Sequence, residues 1–101
     1  MTQTHSISGS TATVRLSGEL DSHAARDCLL YIANVIDLEL PRTLRLDLRD
    51  LRFMDSSGLA VVLGAQRRMH ETDGELVVCG VPAQPMKVFA AARLDRIVRF
   101  E

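Results

Sequence analysis

The chain has no charge excess, no metal-ligand spacing, no signal-peptide pattern and no long apolar run, and each absence argues against a class of function. Twelve basic residues are set against thirteen acidic ones, for a formal charge of −1. No basic stripe is available for a nucleic-acid backbone, and no polybasic segment for an anionic membrane surface. The N-terminus, Met1-Thr2-Gln3-Thr4-His5, has no charged region followed by an apolar run, so it does not read as a signal peptide. No segment approaches the length of a membrane span, and the expected location is the cytoplasm. Lys87 is the only lysine, and nothing functional follows from that.

Cys28 and Cys79 fall in segments that read as a helix and a strand, where they act as small apolar residues. They have no zinc spacing. His70, Glu71 and Asp73 read as solvated residues at a helix end. No metal or other cofactor is called for. A glycine-rich phosphate loop is missing, because no Gly-x-x-x-x-Gly-Lys-Ser/Thr occurs and Lys87 is far from Gly58 and Gly64. The hydrolase elbow Gly-x-Ser-x-Gly is incomplete, since Met54-Asp55-Ser56-Ser57-Gly58 lacks its first glycine. His23 could reach the serines, but no oxyanion motif supports catalysis. The expectation is a protein that is not an enzyme, with a small serine hydrolase as an alternative.

What is present is one ordered domain. The 101 residues are 47% hydrophobic and 25% charged, enough to bury a modest core. Thr4–Ser8 reads as a short strand, Gly9-Ser10 as a turn, and Thr11–Ser17 as a strand with Val14 and Leu16 on one face. Gly18–Asp21 reads as a loop, with Asp21 or Ser22 capping a helix over 23–38. In that helix Ala25, Cys28, Leu29, Ile32, Val35 and Ile36 recur at helical spacing, and Pro41 ends the region. Thr43–Arg49 alternates leucines with charged residues and is the clearest strand. The pattern then predicts a helix over 57–72 with Leu59, Val62, Leu63 and Met69 buried, and a strand over 75–79. A loop over 80–85, a helix over 86–93 and a strand over 96–100 complete it.

Alternating strands and helices imply mainly parallel pairing with right-handed crossovers. Charged residues on the second face of the Val14 and Leu46 strands place the helices mainly on one face and leave the other partly wet. The fold class is therefore α/β, a mainly parallel mixed sheet. The loops 18–22, 53–57 and 80–85 should converge at the carboxyl edge, where open α/β sheets bind ligands.

Asp55-Ser56-Ser57-Gly58-Leu59 lies at that edge, between a strand and a helix. Unpaired backbone N–H groups and the positive end of the helix dipole favour an added anion there. The segment reads either as a helix cap, in which a serine serves as N-cap, or as a hydroxyl to phosphorylate with Asp55 holding it in place.

Three stretches resemble the bacterial anti-sigma factor antagonists, the stand-alone members of the STAS domain family. They are Val14-Arg15-Leu16-Ser17-Gly18-Glu19-Leu20-Asp21, the run from Leu46-Asp47-Leu48 through Phe53-Met54-Asp55-Ser56-Ser57-Gly58-Leu59, and Gly74 to Cys79 with Ile97-Val98-Arg99-Phe100. The resemblance implies a STAS fold and a partner-switching role. The unphosphorylated protein binds an anti-sigma factor that is also a serine kinase of the histidine-kinase-like ATPase class, and so frees the sigma factor. Phosphorylation at Ser57 releases it, and a PP2C-type phosphatase restores it. The partner contacts so implied are Asp21, Ser22, His23, Asp55, Ser56, Ser57 and Gly58. Neither nucleic acid nor membrane is contacted directly. A second reading within the fold is a STAS subunit docked on another ATPase of a lipid-transport or stress-sensing assembly. Related domains usually continue into a C-terminal helix; residues 1–101 are expected to be a single STAS domain lacking that helix, either a trimmed member or one whose uncovered apolar surface would favour self-association.

Overall fold

The structure, a computed structural model, describes all 101 residues, Met1–Glu101. In chain order the elements are β1 (Thr2–Ser8), β2 (Thr11–Leu20), α1 (Ala25–Glu39), β3 (Thr43–Met54), α2 (Ser57–Glu71), β4 (Glu75–Cys79), α3 (Ala83–Ala91), a 3-10 turn (Leu94–Arg96) and β5 (Arg99–Phe100). The strands form one sheet in sequence order. β1 pairs antiparallel with β2, and every later pairing is parallel. The expected mixed, mainly parallel sheet is what forms. No helix is long and apolar enough to cross a membrane.

Alternation in β2 and β3 turns Ala12, Val14, Leu16, Leu44, Leu46 and Leu48 inward, where they meet Cys28, Ile32 and Ile36 of α1 and Val61, Val62 and Met69 of α2 in one buried cluster. Phe89 of α3 enters the same cluster and lies edge-on to Phe100 of β5, with ring centroids 5.3 Å apart. The opposite sheet face carries a charged layer. Arg45 pairs with Glu101 at 2.9 Å, and Arg99 with Glu75 at 3.4 Å. Beneath that layer Val77 and Cys79 are buried, so this face is only partly wet.

Four boundaries differ from the sequence expectation by three residues or more, and others, such as the starts of β1 at Thr2 and α1 at Ala25, by one or two. β3 runs on past Arg49 to Met54, because register shifts against β2 insert extra residues and keep Leu51 and Met54 facing inward after strict alternation stops. β2 likewise continues through Gly18 to Leu20 rather than giving way to a loop. α3 begins at Ala83, with Pro85 inside its first turn, where a missing N–H costs no hydrogen bond. The last strand shrinks to Arg99–Phe100, since residues 94–96 wind into the 3-10 turn.

The buried stripe of α2 is also rotated from the expected one. Gly58, Val61, Val62, Ala65 and Met69 face the sheet, while Leu59 and Leu63 are half-buried. Small residues on the inner face let the helix lie close. A Cβ on Gly58 would stand 2.5 Å from Cγ and Sδ of Met54.

Candidate functional site

β2 and β3 end together. Leu20 is the register partner of Met54, and the Asp55 N–H donates to the Leu20 carbonyl at 3.2 Å. Neighbouring strands lie about 4.8 Å apart. Asp21 and Asp55, each the first residue past its strand, therefore leave the sheet side by side.

Each aspartate organises the start of the following helix. Asp21 Oδ1 accepts the N–H groups of His23 (3.0 Å) and Ala24 (3.1 Å), and its carbonyl accepts those of Ala24 and Ala25. Asp21 rather than Ser22 is thus the cap that leads into α1. At α2, Asp55 Oδ1 accepts the Ser57 N–H at 2.8 Å. Ser56 already has helical backbone angles, φ −63° and ψ −18°, and makes no side-chain cap bond. The expectation that a serine caps α2 is overturned, because the carboxylate one residue earlier takes that role. Asp55 likewise engages the main chain of Ser57 and not a serine hydroxyl, so both hydroxyls are free of structural hydrogen bonds. Ser56 is exposed and Ser57 half-buried.

Ser22 and His23 are exposed on the β2–α1 loop. Glu19, Asp21, His23 and Arg52 line one cleft of about 360 Å³. Gly58 is different in kind. It is buried, packed on Met54 and Leu20, and contributes close approach rather than contact surface. His70 lies in the last turn of α2, at the end opposite the serines. No histidine hydrogen-bonds to either serine hydroxyl; the His5 ring pairs instead with the Tyr31 hydroxyl at 2.6 Å.

The third loop reaches the same edge through Gln84, which belongs to no motif of the sequence. Gln84 Oε1 accepts the Met54 N–H at 2.8 Å, and Gln84 Nε2 donates to the Met54 carbonyl at 2.8 Å. Beside this tie a cleft of about 550 Å³ opens between α2 and α3. Ser56, Gln84 and Lys87 stand on its polar side, with Leu59, Val88 and Ala91 on its apolar side. A glutamine between two prolines in a carboxyl-edge loop was the one available signal for Gln84. Local periodicity could not supply its partner, 30 residues away.

Comparison with known proteins gives a consistent result. The STAS domain family model matches residues 2–101. An anti-sigma F factor antagonist of Paenibacillus polymyxa is 41% identical over 68 residues, which cover 67% of this chain and only 58% of that protein. An anti-sigma F factor antagonist of Lysinibacillus sphaericus is 33% identical over 87 residues, covering 86% of this chain and 74% of that protein. Among solved structures, the Bacillus cell fate determinant SpoIIAA in its phosphorylated form superposes with a TM-score of 0.75 at 28% identity, over 99% of this chain and 91% of that one.

Proposed function

The chain belongs to the STAS domain family, and from that premise we propose that it is an anti-sigma factor antagonist switched by phosphorylation at Ser57. The unphosphorylated protein binds an anti-sigma factor that is also a serine kinase of the histidine-kinase-like ATPase class. A PP2C-type phosphatase reverses the modification. The protein acts in the cytoplasm by binding, not by catalysis. Asp21, Ser22, His23, Asp55, Ser56 and Ser57 form the contact surface, and Gly58 seats α2 beneath it.

One observation carries this reading. Asp55 caps α2, which leaves the Ser57 hydroxyl unengaged in the first turn of a helix beside a second acidic loop. A phosphate would add about −1.5 to −2 charges and three acceptor oxygens. The helix dipole favours such an anion at this end, so the fold tolerates it. The effect falls on the docking surface, where phosphate joins Asp21, Asp55 and Glu19 and fills the volume a partner occupied.

The test is a pull-down from native lysate with tagged wild-type chain and Ser57→Asp, with partners and phosphosites identified by mass spectrometry. Recovery of a histidine-kinase-like anti-sigma factor by wild type alone, with phosphate mapped to Ser57, is the expected result. Equal recovery of a different partner by both, with Ser57 unmodified, would replace the switch with constitutive docking.

A further inference from the structure

β3 is longer than its neighbour on one side. Pairing with β4 covers only Thr43–Asp47 of β3, and the strand then continues unpaired on that side to Met54. In a parallel ladder the N–H and C=O of one residue point to the same side. At the end of β3 it is Asp55 whose N–H reaches β2, at the Leu20 carbonyl. The Met54 N–H and C=O therefore point the other way, into the gap where β4 has stopped. The Met54 side chain is fully buried. The Gln84 amide fills that gap with one donor and one acceptor, both at 2.8 Å.

We propose that Gln84 is a positioning residue for the serine loop, its amide standing in for the missing strand beside Met54 and setting where Asp55, Ser56 and Ser57 are presented. Its anchor is stiff. Pro82 and Pro85 flank it and fix the backbone of the first turn of α3, and Phe89 holds that helix in the core. The tie falls one residue before Asp55, which in turn holds the Ser57 N–H. Two bonds and a cap thus run in series from α3 to the serine. The first turn of α3 becomes part of the recognition surface, a consequence that rests on the partner-switching reading. The placement of the loop does not depend on that reading.

The test uses the isolated, ¹⁵N-labelled full chain and needs no partner. In Gln84→Met the side chain keeps its length and loses both polar groups. Backbone order parameters of residues 55–58 should fall from the rigid value of about 0.85 towards 0.6. Those of β2, β4 and the middle of α2 should stay unchanged. A residue that only adds global stability would shift the unfolding midpoint and leave the native loop rigid. Should Gln84→Met not fold, Gln84→Glu, which retains the acceptor for the Met54 N–H, is measured in the same way. Order parameters at 55–58 equal to wild type in a folded variant would overturn the proposal and leave the Ser57 switch standing. A disordered loop in a chain never phosphorylated at Ser57 would do the reverse.

Discussion

Two glycines in α2 should respond to the same substitution with opposite sign. Replacing glycine by alanine inside a helix ordinarily stabilises by up to about 1 kcal/mol, through helix propensity and a less disordered unfolded chain. At Gly64 the new Cβ would meet only the tip of Leu29, with Cδ1 at 2.8 Å, and Leu29 is half-buried and able to swing away. Gly64→Ala should therefore gain about 0.5–1 kcal/mol. At Gly58 the new Cβ lands 2.5 Å from both Cγ and Sδ of Met54 and 3.2 Å from Leu20 Cδ2, and both neighbours are completely buried. Overpacking of this kind costs about 1–3 kcal/mol. After a propensity gain of about 1 kcal/mol is subtracted, Gly58→Ala should lose up to about 2 kcal/mol. Urea unfolding at 25 °C reads the difference directly, and a domain of this size loses about 4–8 °C in Tm per kcal/mol. A double-mutant cycle with Met54→Ala isolates the contact and should show a favourable coupling of about 0.5–3 kcal/mol. A Gly58→Ala protein as stable as wild type, with no coupling to position 54, would refute the close approach on which the placement of the serine loop depends.

Other consequences separate capping from surface chemistry and probe the core. Asp55→Ala should cost about 0.5–2 kcal/mol in unfolding free energy through the lost cap, whereas Ser56→Ala and Ser57→Ala should each stay within about 0.5 kcal/mol of wild type; a large loss at either serine would return the cap to it. Burial pushes the Cys28 thiol up from 9.0 to about 12. The thiol of the unfolded chain then ionises first, and Cys28 stabilises the fold fully below pH 9 and progressively less up to pH 12. The loss approaches about 1.4 kcal/mol per pH unit in that window; urea midpoints between pH 8 and 10.5 should fall more steeply for wild type than for Cys28→Ala. Leu40, exposed and left-handed at φ 46° after α1, should accept glycine with a gain of about 1 kcal/mol, read as a higher Tm.

Much of this architecture was legible because it is local. Leu44, Leu46 and Leu48 alternate with charged residues, and only a half-buried strand suits that pattern. Ile32, Val35 and Ile36 recur at helical spacing and have one amphipathic solution. Strand and helix order then dictated parallel crossovers and brought Asp21 and Asp55 to one edge. Local pattern and structure part where periodicity breaks for a tertiary reason. Alternation loses its phase after Arg49 because bulges insert residues into β3, and the expected loop over 80–85 yields to α3 because Pro85 sits in a first turn that needs no N–H from it.

The candidate site divides along the same line. The order of the elements and the position of Asp55-Ser56-Ser57 between a strand and a helix follow from neighbours in the chain. Only the packed fold makes Asp55 rather than a serine the cap of α2, buries Gly58 against Met54 and Leu20, and brings Gln84 to the end of β3. Those outcomes depend on where strands of unequal length end in space and which polar groups are left unpaired there, and hydrogen-bond partners 30 residues apart leave no trace in local spacing.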